Sequence, residues 1–349
     1  MEYRQLGKTR LKIPPVIFGT SALGNLFVEL PNDSKQQIVA ECIRNVDGAV
    51  VFDSAGKYGA GLALEVLGQS LEKMGVAHQR VIISNKLGWF RTPLTTAEPT
   101  FEPGAWIGLK NDAEQRISYD GIMECWEQGN KLLGGVYQPS MVSVHDPDEF
   151  LANAYDEKDW HIRFNQILSA YKALSELKKE GKVEAVGVGA KNWKIIRAIY
   201  AAVDLDWVMF ANSMTILKHP TDLLGFMGEL HKAEIGIINS AVFHAGFLTG
   251  GRFFDYVPIE PDSEDNKALF SWRESFFALC NKFQILPAQA CVSFGMTPPG
   301  VISIALNTSD PKRVKENVHA VTASVPSEFW SEIVRLGLIS ENYPYLPHK

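Results

Sequence analysis

The chain has 349 residues, of which 46% are hydrophobic and 21% are charged, as in water-soluble globular proteins. Its formal net charge of −6 offers no basic surface for nucleic acid or for an anionic membrane. The cysteines show no metal-ligand spacing, and no apolar run approaches the roughly 20 residues that cross a bilayer. Since the N-terminus also lacks the apolar core of a signal peptide, we expect a cytoplasmic protein without a metal centre.

Short apolar runs alternate along the sequence with amphipathic stretches. Most of these runs are continuously apolar, which is typical of parallel strands buried on both faces. The clearest amphipathic stretch is 164–177, where apolar residues recur every three or four positions before a stop at Gly181. The predicted strands are 15–19, 50–53, 81–86, 141–145, 185–189, 207–212, 236–241 and 301–306.

This alternation predicts an α/β protein of the (β/α)8 TIM-barrel class. The alternative is an open doubly wound sheet, which carries G-x-G-x-x-G after its first strand and collects polar residues at one switch point. This sequence lacks that motif there, and its polar residues recur at many strand ends. With no internal repeat or low-complexity linker, we expect residues 1–349 to form a single domain. The sequence shows no heptad pattern and no exposed apolar stripe, so it does not predict an oligomeric state.

Two segments that follow predicted strands are long. Residues 89–118 are rich in Pro, Thr and Gly and hold several aromatic residues, whereas residues 249–266 contain two prolines and a cluster of acids. Long βα loops of a barrel usually shape or cover its pocket, although a mobile insertion is the alternative. Solvated loops seldom hold so many aromatic residues, so we expect Trp89, Phe90 and Trp106 to line a substrate pocket.

Polar side chains lie at the ends of three predicted strands: Asp53, Lys86 and His145. Tyr58 follows Asp53 after a turn that contains glycine. A tyrosine has a pKa of about 10, which an adjacent ammonium such as that of Lys86 lowers. Asp53 can orient Lys86, and His145 can hydrogen-bond a substrate oxygen. Together the four residues predict a hydride-transferring enzyme that uses Tyr58 as its proton donor.

Other functions also fit this pattern. Taken singly, each of the four residues is more often a packing or surface residue. Lys86 at a strand end suits a Schiff-base lyase, but an ion pair with Asp53 would keep its amine protonated and weakly nucleophilic. A non-catalytic nucleotide-binding regulator can use the same fold. The presence of all four residues favours the oxidoreductase.

The pattern resembles the aldo-keto reductases over nearly the whole chain. The family motif Phe-Asp-x-Ala-x-x-Tyr-Gly-x-Gly is present at 52–61, and Lys86 and His145 follow in the family's order. The resemblance implies an enzyme that uses NAD or NADP on a small-molecule substrate. It also implies that Tyr58 is the acid and base, that Lys86 and Asp53 tune it, and that His145 orients the substrate.

The resemblance further implies contacts to the adenosine half of the cofactor. Gly19 and Thr20 follow the first strand, with Thr20 expected near the ribose. Segment 307–317 matches the family's Lys-Ser-x-x-Pro-x-Arg-x-x-Glu-Asn but has Asn307 in place of the lysine, although it also reads as an ordinary helix start. Asparagine cannot pair with a 2′-phosphate, which favours NAD, while Arg313 can still hold NADP. The expected contacts here are Asn307, Thr308, Arg313, Glu316 and Asn317.

Two departures from the family affect the nicotinamide site. The family usually places Asn after the fifth strand, where this chain has Lys191, with Asn192 one residue later. The family's stacking aromatic residue after the sixth strand is replaced within the run that begins at Asn212. The remaining cofactor contacts that the resemblance implies are Asp53, Lys191, Asn192, Asn212, Ser240, Phe243, Gly246 and Leu248.

Within the family, the sequence resembles bacterial sugar dehydrogenases that act on L-fucose or D-threo-aldoses. The shared features are the run Tyr119-Asp-Gly, the run that begins at His145, and the long third βα loop. This likeness implies oxidation of an aldose at its C1 hydroxyl to a lactone. Aromatic loop residues can stack on a pyridine ring as well as on a sugar. The alternatives are therefore a pyridoxal-type alcohol dehydrogenase and a general aldehyde reductase.

Overall fold

The computed structural model describes residues 1–347, in which eight parallel strands close into a barrel surrounded by helices. Strands that are consecutive along the barrel are paired, and the last one pairs with the first. This confirms the predicted (β/α)8 TIM barrel. The expected single domain of 1–349 includes residues 348 and 349, which lie outside the described residues. The barrel strands, β1 to β8, are Val16–Gly19, Val50–Ala55, Val81–Leu87, Met141–His145, Ala185–Ala190, Trp207–Ala211, Gly236–Ser240 and Val301–Leu306.

Each barrel strand leads into one or two α-helices on the outside. The amphipathic stretch 164–177 is confirmed as helical and lies within a longer helix, which begins at Glu157 and ends at Lys179. The α-helices, α1 to α11, are Asn32–Arg44, Leu62–Lys73, Tyr119–Leu132, Pro147–Ala152, Glu157–Lys179, Trp193–Tyr200, Thr221–Lys232, Lys267–Lys282, Pro287–Gly295, Lys312–Ala320 and Ser327–Arg335. Short 3-10 helices lie at Ser21–Gly24, His78–Arg80, Phe247–Thr249 and Glu264–Asn266.

The amino end of the barrel is closed by the N-terminal segment. Arg4–Gln5 and Lys12–Ile13 form an antiparallel hairpin. Its residues Leu6 and Ile13 are fully buried and belong to the same core cluster as Trp207 inside the barrel. Because this end is filled, access to the barrel is left at the carboxyl end of the strands, where the loops are long.

The two long segments are more ordered than their composition suggested. In the first, Trp89–Pro93 pairs with Asn111–Gln115 as an antiparallel ribbon. In the second, Phe253–Phe254 pairs with Val257–Pro258. Cross-strand hydrogen bonds satisfy the backbone of a long excursion that would otherwise be exposed. The aromatic residues of the first segment are therefore held on a defined scaffold.

The helices and the cysteines can be compared with what the composition predicts. None of the helices in residues 1–347 combines the length and the apolarity that crossing a membrane requires. Cys42, Cys125, Cys280 and Cys291 are buried and form no disulfide within the described chain. They therefore pack as core residues.

The contact between β5 and β6 gives a test of this packing. Gly187 is the register partner of Trp207, and a Cβ at position 187 would overlap the indole ring. We expect Gly187→Ala to lower the free energy of unfolding by about 1–3 kcal/mol, as overpacked cores do. As a control, Gly225 lies on the exposed side of α7 with open space around its Cβ. Gly225→Ala should raise the free energy of unfolding by up to about 1 kcal/mol. Urea denaturation measures both changes, and a stabilising Gly187→Ala would contradict this packing.

Candidate active site

Asp53, Lys86 and His145 lie near the carboxyl ends of three neighbouring strands. Asp53 lies in β2, Lys86 in β3 and His145 at the end of β4. Each of these residues is at most 4% exposed. Parallel neighbours in a closed barrel hold these positions side by side, so the structure brings together the residues that the sequence predicted.

Tyr58 reaches the same place from a tight turn after β2. Its backbone N–H donates to the carbonyl of Ala55 at 3.1 Å. The next residue, Gly59, has a φ of +62°, and any Cβ there would collide with the backbone of Gly24. Only glycine combines this left-handed conformation with so close an approach. The turn then leads directly into α2, which fixes the position of the phenol.

An ion pair lies beneath the phenol. The Nζ of Lys86 donates to Oδ2 of Asp53, and Oγ of Ser84 donates to Oδ1 at 3.0 Å. The same Nζ lies 4.7 Å from the centroid of the Tyr58 ring. Asp53 therefore holds a buried cation against the aromatic face, where it favours negative charge on the phenol oxygen.

His145 lies at the edge of the same ring. The ring centroids of Tyr58 and His145 are 5.5 Å apart, with an interplanar angle of 85°. Burial lowers the pKa of His145 to about 3; Lys86 and Lys57 act in the same direction, and Asp146 opposes them. The imidazole is therefore neutral at neutral pH, with one N–H to donate and one nitrogen to accept.

The expected lowering of the Tyr58 pKa is wrong for this structure. Desolvation of the half-buried phenol raises its pKa well above the ordinary value, and Asp53, Tyr256 and Asp146 raise it further. Together these effects on the pKa outweigh the opposing effect of the Lys57 ammonium. The phenol is therefore neutral at neutral pH, as a proton donor must be, and forming the phenolate requires a higher pH.

A second group of charges beside Tyr58 was missed by sequence reasoning. The Nζ of Lys57 lies 2.9 Å from Oδ2 of Asp146, 2.8 Å from Oε1 of Glu102 and 2.7 Å from Oε2 of Glu149. We call these four residues the Lys57 cluster. Burial opposes the charge on Lys57, but the three carboxylates outweigh it and raise the pKa of the amine. The available signal was a lysine directly before Tyr58, with acids directly after His145.

The aromatic residues of the first long segment pack in different places. The ring centroids of Trp106 and Tyr58 are 6.0 Å apart. The ring centroid of Trp89 lies 5.2 Å from the Nζ of Lys57. Phe90 instead packs against the guanidinium of Arg116 at 4.0 Å. Successive residues of a strand point to opposite faces. The structure therefore brings Trp106 and Trp89 to this region and does not bring Phe90.

The second long segment reaches the same end of the barrel. Phe253 stacks on Phe27, which follows β1, with ring centroids 4.3 Å apart. Tyr256 lies under the Nζ of Lys191, which is 5.1 Å from its ring centroid. Residues 253–256 therefore bridge the loops after β1 and β5 and add aromatic surface beside the site.

The residues predicted to bind the adenosine half of the cofactor gather where β8 meets β1. Gly19 is adjacent to Asn307, whose Nδ2 donates to Oγ of Ser21 at 2.8 Å. Thr20 donates through its hydroxyl to the carbonyl of Asp53 at 3.1 Å. The hydroxyl of Thr308 is used in a local turn with Asp310. The helix α10 that follows carries the rest: Arg313 and Glu316 on its exposed side, and the half-buried Asn317.

The residues predicted to hold the nicotinamide half differ in what their side chains do. The Nζ of Lys191 lies 2.7 Å from Oε1 of Glu149, and Oδ1 of Asn192 caps α6 by accepting from the N–H of Lys194 at 3.1 Å. Both side chains are therefore engaged elsewhere. Asn212, at the end of β6, has a φ of +56° and is 5% exposed.

The loop after β7 contributes backbone more than side chains. Ser240 donates its hydroxyl to the carbonyl of Phe210 at 3.0 Å. Phe243 packs between core clusters, and Leu248 is fully buried. Gly246 has a φ of +93°. The side chain of Leu248 therefore faces the core, and only its backbone is free to contact a cofactor.

Unpartnered polar atoms suggest that this end of the barrel can hold a nucleotide. Within residues 1–347, Oδ1 of Asn212 and Nδ2 of Asn317 are buried without a hydrogen-bond partner. Buried polar groups are normally paired, and these two offer an acceptor and a donor at separated points. They fit a ligand with polar groups at both ends, such as a nicotinamide dinucleotide. No group of three or more metal-ligating side chains occurs in the same range.

Comparison with known proteins agrees with this architecture. The model of the aldo/keto reductase family matches residues 15–337. A pyridoxal 4-dehydrogenase from Microbacterium luteolum is 26% identical and covers 97% of this chain and 98% of its own. A D-threo-aldose 1-dehydrogenase from a Pseudomonas species is 24% identical and covers 94% of this chain and 95% of its own.

A solved structure shares the fold. The holo form of an aldo-keto reductase from Bacillus halodurans superimposes with a TM-score of 0.70 at 18% identity, covering 98% of this chain and 99% of its own. Since the family match extends through the barrel and its flanking helices, it includes all the strand ends described above. The chain is therefore a member of the aldo/keto reductase family, whose enzymes are NAD(P)-dependent oxidoreductases acting on CH–OH and carbonyl groups.

Proposed function

We propose that this enzyme oxidises the C1 hydroxyl of a cyclic sugar hemiacetal to a lactone, with Tyr58 as its acid and base. The observation that carries the proposal is the position of Tyr58, with the Lys86–Asp53 ion pair below its ring and the neutral His145 at its edge. This arrangement supplies a proton, a charge stabiliser and a hydrogen-bond donor around one point.

The chain's residues divide the work of moving one proton. Bound NAD or NADP supplies or accepts the hydride, held through residues such as Asn212, Asn307 and Asn317. In oxidation, the Tyr58 phenolate accepts the proton of the substrate hydroxyl; in reduction, the phenol returns it. His145 donates its N–H to the same substrate oxygen and stabilises the negative charge that develops there.

Lys86 and Asp53 support this proton transfer. The ammonium of Lys86 faces the ring of Tyr58 and stabilises the phenolate, while Asp53 keeps that ammonium charged and in place. The same ion pair argues against a Schiff-base lyase, because a protonated amine held by a carboxylate is a poor nucleophile.

The substrate class is inferred from the relatives and from the aromatic residue next to Tyr58. An aldose carries an aldehyde and a hydroxyl that can close on it to form a ring, and so does pyridoxal. One relative is an aldose 1-dehydrogenase and another a pyridoxal 4-dehydrogenase. Trp106 next to Tyr58 offers an aromatic face for either ring. A pyridoxal-type alcohol is therefore the second candidate substrate.

The cofactor preference follows from one position. Asn307 offers an amide where a lysine would pair with the 2′-phosphate of NADP, and its Nδ2 already donates to Ser21. The proposal is that NAD is used in preference to NADP. Arg313, on the exposed side of α10, is a cation that can still contact a phosphate.

Replacing the proposed acid and base tests the site directly. We expect Tyr58→Phe to lower kcat by at least about a hundredfold, because proton transfer is lost. The dissociation constant for NAD, measured by fluorescence quenching, should change by less than about twofold, since no cofactor contact is removed. Tyr155→Phe, at a side chain that is 83% exposed, is the control. A Tyr58→Phe enzyme with normal kcat would contradict the assignment.

The raised pKa of Tyr58 predicts a pH dependence with a definite sign. Oxidation needs the phenolate, which is the minor form at neutral pH, so kcat for oxidation should rise about tenfold per pH unit until the pKa is approached. Reduction uses the neutral phenol and should be nearly constant between about pH 6 and pH 8. Steady-state rates in both directions measure this, and an oxidation rate that is flat across the neutral range would oppose it.

A substrate panel tests the proposed chemistry. Free aldoses, pyridoxal and simple aldehydes should be assayed with NAD and with NADP by the absorbance of reduced nicotinamide. We expect turnover of a free aldose with NAD, with a lactone as the product seen by NMR. The methyl glycoside of the same sugar has no free C1 hydroxyl and should not react. Oxidation of the glycoside would mean that another carbon is attacked, and a strong preference for NADP would overturn the inference from Asn307.

A further inference from the structure

Lys57 comes directly before Tyr58, the proposed acid and base, and it is almost completely buried, which is unusual for a lysine. Its side chain is 3% exposed, and its ammonium contacts the carboxylates of Asp146, Glu102 and Glu149. An ammonium has three N–H donors, and the three carboxylates match them. The role proposed above for Tyr58 does not use this residue.

The carboxylates of the Lys57 cluster come from two different βα segments. Glu102 lies in the loop of the ribbon that follows β3, whereas Asp146 and Glu149 lie at the start of α4, after β4. Lys57 itself follows β2. One ammonium therefore ties together the three segments that surround Tyr58. Glu149 extends the set to the loop after β5 through its contact with Lys191 at 2.7 Å.

Two of the carboxylates also contact residues whose rings lie against Tyr58. Oε2 of Glu102 accepts a hydrogen bond from Nε1 of Trp106 at 2.7 Å. Oδ2 of Asp146, which contacts Lys57, lies 3.4 Å from Nε2 of His145. A single carboxylate therefore links Lys57 to the indole of Trp106, and another links it to the imidazole of His145.

We propose that Lys57 is a positioning residue, whose ammonium sets the placement of Trp106 through Glu102 and of His145 through Asp146. The inference rests on the proposed function of Tyr58. In this role Lys57 fixes the width of the pocket between the indole and the imidazole. It also neutralises carboxylate charge beside His145, together with Lys191.

The electrostatic part of this role has a definite sign. The charged groups around His145 are Asp146, which raises its pKa, and Lys86, Lys57 and Lys191, which lower it; the ring of Tyr58 lies at its edge. Removing the positive charge of Lys57 leaves more net negative charge beside His145. Negative charge favours the imidazolium, so the pKa of His145 should rise. An imidazolium would place a second positive charge beside the Lys86 ammonium, where the site uses a neutral ring, so activity should fall at the pH at which His145 becomes protonated.

The test compares Lys57→Met with Lys57→Arg, and uses Lys172→Met, at an exposed lysine of α5, as the matched control. We expect Lys57→Met to lower kcat/KM by about tenfold to a hundredfold, as small misplacements of reacting groups do. The dissociation constant for NAD should stay within about twofold, and an acid limb should appear in the pH profile at a higher pH than in the wild type. Lys57→Arg should restore most of the activity and the wild-type profile, since it restores the charge.

A Lys57→Met enzyme that is folded, with kcat, KM and pH profile unchanged, would overturn the inference. A profile that is unchanged while activity falls equally in Lys57→Met and Lys57→Arg would also overturn it, because only bulk packing would then matter. If Lys57→Met does not fold, Glu102→Gln decides. It removes the charge that holds Trp106, so KM for the substrate should rise severalfold with NAD affinity unchanged, and an unchanged KM refutes the link.

The proposed function and this inference can fail separately. Loss of activity in Tyr58→Phe together with a normal Lys57→Met enzyme would leave the acid and base assignment standing and remove only the role of Lys57. An active Tyr58→Phe enzyme would remove both, because there would be no reacting group for Lys57 to serve.

Discussion

The site depends on one buried ion pair, between Asp53 and Lys86. Two charges in the interior are costly unless they are paired and hydrogen-bonded. Here each charge has the other, and Ser84 supplies a further donor to the carboxylate. Because the three residues lie on adjacent strands of a closed barrel, they cannot separate without opening the sheet. The result is a cation held against the face of Tyr58.

Both the phenol and the imidazole beside this ion pair are neutral at neutral pH. Burial keeps His145 neutral, with a pKa of about 3, and it also keeps Tyr58 protonated. A neutral imidazole donates without carrying charge, and a neutral phenol gives up a proton only when charge develops beside it. The Lys86 ammonium favours the phenolate at that moment, so the ion pair acts on the transition state more than on the resting enzyme.

The rest of the site is supplied by loops that the barrel holds. The ribbon after β3 brings Trp106 to the phenol, and residues 253–256 bridge the loops after β1 and β5. The Lys57 cluster adds ion pairs to the apolar packing between the loops after β2 and β3, and it extends to the start of α4 after β4. A buried ammonium interacts strongly with carboxylates, so a few ion pairs can reinforce this packing.

Part of this could be predicted from the sequence. Continuous apolar runs located the barrel strands, and Asp53, Lys86 and His145 were predictable because each ends such a run. The ribbon was missed because Pro and Gly disguise strands that pair only with each other. The prediction of Phe90 in the pocket is wrong because Trp89–Pro93 forms a strand, in which Phe90 points to the face opposite Trp89. The Lys57 cluster joins residues that are up to 92 positions apart, so no local pattern reveals it.

The central claim is that Asp53 and Lys86 act as one unit on Tyr58, and a double-mutant cycle on kcat/KM tests it most directly. The variants are Asp53→Asn, Lys86→Met and the pair, each checked for folding by thermal denaturation. If the residues act as a unit, the double variant should be no slower than the slower single variant. Losses that multiply in the double variant would show that the two residues act independently and would contradict the account.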